Sequence, residues 1–263
     1  MFKSWRIGKL LGFPIEINLS FLILLALVFV AYGGLAGVLV VGLAFGSVLL
    51  HELGHAVVAR KLHVHVSGIE LGFLGGAAKM TNLPTTANAE LMIAAAGPAV
   101  SLVLGGAGLG LAALFGSSFL ALIGWINLVI AGFNLIPALP MDGGRILRAA
   151  LSKRMSFVRA TDVSVTVARV VAVGFAIWGL MGAYQLLILA PFLWLMGTRE
   201  KLLARMMADE RAGYGQDVEV MGRGAWQDRD MRGYGARGWG APMPMRRFTI
   251  AQHNGRIVIV PID

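Results

Sequence analysis

Long apolar runs broken by short polar or glycine-containing stretches dominate the first 200 residues. Runs at 15–31, 35–60, 91–115 and 119–136, with shorter ones at 170–183 and 186–196, each predict a membrane-crossing helix, since about 20 apolar residues span a bilayer. Between 61 and 90 the period changes. Val66, Ile69, Leu71 and Phe73 stand among small or polar residues up to Gly75-Gly76, a turn signal, followed by 77–80, which predicts a short β-hairpin. Lipid offers an exposed strand edge no partner, so this ribbon belongs at the interface or along a cavity within the protein. Residues 1–12 carry Lys3, Arg6 and Lys9 without a sustained apolar face and are expected to form an interfacial arm. At Arg199 the hydropathy collapses, and residues up to Pro244, rich in Gly, Arg, Asp and Met with isolated Trp226 and Trp239, cannot bury a core. Beyond them Phe248, Ile250, Ile257 and Ile259 flank Asn254-Gly255, a type I′ turn signal, predicting a small hairpin within 247–260. The expected architecture is an all-α polytopic membrane protein. It has about six transmembrane helices and a short membrane-associated β-hairpin in residues 1–198, and a mostly flexible cytoplasmic tail over 199–263.

Composition agrees with this pattern. Hydrophobic residues make up 57% of the chain and mean hydropathy is +0.74, against roughly 45–50% apolar residues for a soluble domain. Cysteine is absent, leaving His, Asp and Glu as the strong ligand types. The formal charge of +9 could suggest a nucleic-acid partner. Its distribution points instead to topology: basic residues flank the runs on one side, whereas the inferred outer loops around Gly33, Ser117 and Gly182 contain no Lys or Arg. No nucleic-acid partner is expected, and both termini are placed in the cytoplasm of a multi-pass protein of the cell membrane. The break at Tyr32-Gly33-Gly34 leads straight into a second apolar run, so the first run should be retained. Arg145, Arg148, Lys153, Arg154 and Arg159 mark a basic amphipathic segment, read as an orientation signal.

One apolar run carries chemistry. His51-Glu52-Leu53-Gly54-His55 places two imidazoles four residues apart, on the same side of a helix, where they can hold one metal ion, with Glu52 beside it but outside the ligand set. This is the H-E-x-x-H pattern of zinc metallopeptidases, in which the glutamate is the general base. Ionisable groups inside membrane helices are rare and usually functional. His55 lies five residues before Arg60, which puts the site one to two turns below the cytoplasmic surface. Asn127 and Asn134, seven residues apart, share a helix face that should look onto protein or a water-filled pocket. The segment from Pro137 to Arg145 then ends the fourth run and returns Asp142 to the depth of the histidines. His63 and His65 could hold a second metal if extended, but exposed interfacial histidines are the simpler reading.

His51-Glu52-Leu53-Gly54-His55, the Gly75-Gly76 hairpin, Ala96-Gly97-Pro98, and Phe133-Asn134-Leu135-Ile136-Pro137 running into Leu139-Pro140-Met141-Asp142-Gly143-Gly144-Arg145 occur in this order. With these motifs, residues 10–200 resemble the site-two protease family of intramembrane zinc metalloproteases. The chain looks most like the compact six-span branch that includes the sporulation-factor proteases, with no counterpart of the regulatory nucleotide-binding module fused to some relatives. The resemblance implies one Zn²⁺ per chain, held by His51, His55 and Asp142, with Glu52 as general base. It also implies that the hairpin, Gly75 and Gly76 included, receives an unwound segment of a single-span membrane-protein substrate, which is cut in or near its transmembrane segment close to the cytoplasmic face. Asn134 either donates to the developing oxyanion or packs between helices. Ser101 stands where relatives often have asparagine. Two alternatives are a metal-ion transporter, which needs polar ligands continuing across the bilayer, and a prenyl-protein-type membrane peptidase, which usually takes a downstream glutamate as third ligand.

Overall fold

The computed structural model describes residues 4–31, 34–72, 75–80, 84, 86–216, 247–253 and 256–262. It divides into two compact units, 1–202 and 203–263. In the first, strands β1 (Ser4–Leu10) and β2 (Phe13–Asn18) precede helices α1 (Leu19–Ala31) and α2 (Leu35–Lys61). Strands β3 (Val66–Gly72) and β4 (Gly75–Met80) follow, and then helices α3 (Ala87–Phe115), α4 (Ser118–Asn134), α5 (Asp142–Ser152), α6 (Phe157–Leu180) and α7 (Gln185–Gln216). The second unit holds the residues of α7 from Leu203 onward and strands β5 (Arg247–His253) and β6 (Arg256–Ile262), which pair antiparallel. The expected turn at Asn254-Gly255, and residues 217–246 of the expected flexible tail, lie outside the described residues.

The N-terminus departs from the sequence expectation. Instead of an interfacial arm and a two-stranded hairpin there is one sheet in the order β1-β2-β3-β4, with β2 parallel to β3 and the outer pairs antiparallel. Residues 15–18, assigned from hydropathy to the first span, belong to β2, because Phe13, Ile15 and Ile17 alternate with Pro14, Glu16 and Asn18, a period of two that a helix cannot use. The β1–β2 connection is Leu11-Gly12, both with positive φ. That is the hairpin geometry normally signalled by Asn-Gly, and with leucine in the first position it gave no sequence cue. What remains of the first span, α1, has 13 residues, about 20 Å of helix.

Gly75-Gly76 is likewise not the turn. Both glycines open β4, paired with Gly72 and Leu71, and the connecting Phe73-Leu74 lies outside the described residues. One face of the sheet, with Phe13, Val66 and Ile69, packs on Leu53, Ala56 and Ala59 of α2 and Ile93 of α3. Complete burial of Ile69 contributes roughly 1.5–3 kcal/mol. Arg60 at the end of α2 donates from Nη1 to the Leu11 carbonyl at 2.8 Å and lies over the Phe13 ring. The sheet is thereby fastened to the half of α2 that carries the H-E-x-x-H residues. On the other face Lys79 bridges Glu70 and Glu16 at 2.8 and 3.0 Å, and Asn18 donates to Glu70. The Lys79 ammonium, helped by Asn18, holds the Glu70 carboxyl below its ordinary value, and Glu70, then Glu16, raises Lys79.

Helices α2, α3 and α6 are long and apolar enough to cross a membrane, and α4 is a shorter apolar helix. Their large apolar side chains, such as Val103, Leu114, Trp125, Val129, Val170 and Ile177, point outward. Ser47, His51, His55, Ser101, Asn127, Thr161 and Ser164 are buried. This inverts a water-soluble domain and suits lipid as solvent. Helix α6 begins 13 residues before the predicted fifth run, and α7 continues through Arg199, where the hydropathy falls. Arg148, read among the basic residues that orient the chain, is buried.

Candidate metal centre and substrate cleft

Helix periodicity places His51 and His55 side by side on α2, and the chain returns from α4 through 135–141 to deliver Asp142 as the first residue of α5. Ala138 and Met141 of that loop are buried against Ala168 and Ala172 of α6 and Leu193 of α7, which holds the loop in place. His51 Nε2 lies 3.0 Å and His55 Nε2 3.1 Å from Asp142 Oδ2, with 3.2 Å between the two nitrogens. All three residues are buried.

The opposite ring nitrogens are tied down. His55 Nδ1 lies 2.6 Å from the Ile93 carbonyl, an acceptor, so the ring proton sits on Nδ1 and Nε2 keeps its lone pair. His51 Nδ1 lies 2.9 Å from Ser101 Oγ, which accepts from it in the tautomer that leaves Nε2 free. Three acceptor atoms therefore converge in a buried pocket, an arrangement that calls for a cation. Donors about 2.0–2.1 Å from a tetrahedral ion stand roughly 3.3–3.4 Å apart, close to the spacing found. Gly97 on α3 leaves the adjoining space open: a Cβ there would lie 2.6 Å from His51 Nε2 and closer still to His55 Nε2. The residues present fit a metal ion with two nitrogen ligands and one oxygen ligand.

Glu52 faces β4. Its Oε2 accepts the Ala78 backbone N–H at 3.0 Å, and its donor atoms and those of the two histidines lie within 4.8 Å of one another. A Cβ on Gly76 would stand 2.7 Å from Glu52 Cγ and 3.0 Å from Val48 Cγ1. Gly76 thus serves close approach, whereas Gly75, with open space around it, is required by its φ of +120°. A cavity of about 290 Å³ opens between α2, β4 and α4, lined by Val48, His51, Glu52, Gly75, Gly76, Val129, Ile130, Phe133 and Asn134. Asn134 Nδ2 donates to the Ile130 carbonyl one turn earlier. Asn127 is buried one level deeper, donating to Ser47 Oγ at 3.0 Å. Exposed His63 and His65 lie apart from the cluster, and His51, Glu52 and His55 form the group suited to a metal among the described residues.

The residues singled out from sequence are brought together here, while the groups that support them are not assigned that part there, Ser101 being noted only as a departure from relatives. Ser101, the Ile93 carbonyl, the Ala78 N–H and the space at Gly97 act through backbone or through a residue ordinary in a helix. Only the spacing of Gly97 and Ser101, one turn apart, hinted at a face turned to the histidines.

Comparison with known proteins identifies relatives of this chain. The sequence profile described as Peptidase family M50 matches residues 38–117 and 111–175. A zinc metalloprotease of Methanocaldococcus jannaschii is 35% identical over 206 residues, 75% of this chain and 60% of that protein. A putative zinc metalloprotease of Synechocystis is 37% identical over 171 residues, 57% of this chain and 44% of its own length. The chain thus spans less than two thirds of either relative. Among solved structures, the site-2 protease from Methanocaldococcus jannaschii superposes with a TM-score of 0.60 at 35% identity, covering 76% of this chain and 95% of that one.

Proposed function

Since the chain belongs to peptidase family M50, that of the site-two proteases, we propose that it is an intramembrane zinc metalloprotease acting on single-span membrane proteins. In this reading it cuts a peptide bond in or near the substrate's transmembrane segment, close to the cytoplasmic face, as a step of regulated proteolysis. The observation that carries the proposal is the convergence of His51 Nε2, His55 Nε2 and Asp142 Oδ2 beside Glu52, on an edge strand open to a cleft.

His51, His55 and Asp142 hold one zinc ion, which when bound supplies Lewis acidity towards a carbonyl and a water. Glu52 takes the proton from the attacking water as its oxygen bonds to the scissile carbonyl carbon. It then gives that proton to the leaving nitrogen as the C–N bond breaks. A helical substrate has its backbone groups paired internally, so the scissile segment must first unwind. Strand β4 is an edge strand and offers replacement hydrogen bonds by strand addition. The opening at Gly75 and Gly76 lets the substrate backbone approach Glu52. Asn134, at the far wall of the cleft, is placed to meet the substrate.

The wider arrangement proposed is six crossings, by α1, α2, α3, α4, α6 and α7, in the cell membrane. Both termini are cytoplasmic, with a protease domain over 1–198 and a tail beyond it. Protein purified in detergent should carry one zinc per chain and cleave members of a panel of single-span membrane proteins in a chelator-sensitive manner. Protein without bound metal, or cleavage indifferent to chelation, would overturn the proposal.

A further inference from the structure

Apart from Asp142, Arg148 is the only Asp, Glu, Lys or Arg in the buried set of the described residues. Each of its three nitrogens donates: Nε, at 2.8 Å, and Nη2 both to Glu90 Oε1, and Nη1 to Glu200 Oε2 at 2.9 Å, and the group lies over the Phe157 ring. One side chain on α5 thus grips α3, α6 and α7. Burying a guanidinium is costly unless its donors are matched, and such groups are better explained by the arrangement they specify than by net stability.

The elements it joins set the metal geometry. Glu90 sits in the first turn of α3, three residues before Ile93, whose carbonyl holds the His55 ring, and on the same helix as Ser101, which holds the His51 ring. Arg148 is six residues after Asp142, roughly 9 Å along α5. Helix α5 has 11 residues and no side-chain cap at its start. Gly143 and Gly144 pack closely on the backbone of the preceding loop, at Leu135, Ile136 and Leu139, which seats the start of α5 on that loop. The two-pronged bond to Glu90 adds a directional tie from α5 to α3.

We infer that Arg148 is a positioning residue of the metal centre: by clamping α5 to α3 through Glu90 it sets Asp142 against the two imidazoles that α3 orients. The inference rests on the proposed ligand set. Glu200 accepts from the remaining arm of the guanidinium and ties the clamp to α7.

The test is zinc affinity, measured by competition with chelators on full-length protein in detergent, alongside helical content and thermal unfolding. Arg148→Met should weaken zinc about 10–100-fold while the protein remains helical, the loss expected when a group supporting a ligand is removed. Arg148→Lys, which keeps the charge without the fork, should fall between it and wild type. Glu90→Gln should also weaken zinc, and Glu200→Gln, which weakens only the arm to α7, should do so less. If Arg148 serves stability alone, Arg148→Lys and Glu90→Gln would lower the unfolding temperature with chelator competition matching wild type, and the inference falls. His55→Ala is the control: wild-type binding lost in His55→Ala upholds the ligand set independently of the clamp, whereas equal binding by the two proteins overturns both.

Discussion

Glu52 is placed by two neighbours, the Ala78 N–H that its carboxylate accepts and the bare Cα of Gly76 against its side chain. A methyl group on Gly76 has nowhere to go, with Glu52 Cγ 2.7 Å and Val48 Cγ1 3.0 Å from its position. Gly76→Ala should therefore keep zinc and lose about tenfold or more in turnover, as expected when a reacting group is displaced by a fraction of an ångström. Normal turnover in a zinc-loaded Gly76→Ala protein would show that the contact is not limiting. Glu52→Gln keeps the shape and removes the basicity. It should retain zinc and lose about 10²–10⁴-fold in hydrolysis, whereas a site that only carried metal would show no proteolysis to lose. Gly97→Ala separates sterics from propensity. Alanine favours a helix by about 1 kcal/mol over glycine, so α3 should fold at least as well. The added Cβ would crowd both Nε2 atoms, and metal content, read by elemental analysis, should fall.

At the level of elements, β4 joins fold to chemistry, and its two edges have different duties. Ala78 is paired with Ile69 but directs its N–H to Glu52, so proline there removes a donor from the open edge and leaves the ladder to β3 intact. Ala78→Pro should therefore free the Glu52 carboxylate and lower turnover more than zinc binding, and equal turnover would show that this hydrogen bond does not position the base. The opposite face of the sheet has a pH dependence with a definite sign. Glu70, held below its ordinary value by Lys79, stabilises the β3–β4 ribbon above that ordinary value, and the gain is lost as pH falls through the depressed one. The effect stays below about 1 kcal/mol because the pair is part-exposed and screened. Hydrogen exchange at the β3 and β4 amides should quicken on acidification in wild type and change less in Lys79→Ala. Helices α2, α3 and α4 were legible because uninterrupted apolar length is a strong signal. Strand β2 was hidden because Ile15 and Ile17 extend the apolar run of α1, and β1 because its turn is made by Leu11-Gly12. Arg148 reads as one more orienting charge because sequence does not say that Glu90 and Glu200, 58 and 52 residues away, meet it.

For the whole molecule, the distribution of polarity makes a prediction about orientation. The buried polar groups run from Asn127 and Ser47 through the metal ligands to the Arg148 clamp, and outward-facing basic residues gather beyond the clamp, at Lys153, Arg154 and Arg159. In the proposed arrangement α4 crosses between them with 17 residues, about 26 Å, slightly less than the roughly 30 Å hydrocarbon thickness of a typical bilayer. Such a helix can span only with its ends at the interfaces, which puts Ser118 on one side and Asp142, eight residues past Asn134, near the other. The absence of cysteine makes this testable without background. Single cysteines at Ser118 and Met181, exposed at one end of the bundle, and at Lys153 and Ser156, exposed at the other, report sidedness to a membrane-impermeant maleimide. In right-side-out vesicles Ser118→Cys and Met181→Cys should label while Lys153→Cys and Ser156→Cys should not, and inverted vesicles should reverse the result. Labelling of Ser118→Cys and Ser156→Cys from the same side would break the six-crossing arrangement. Labelling of Lys153→Cys and Ser156→Cys only from outside would keep the crossings but turn the cleft, and any product released from it, to the opposite face.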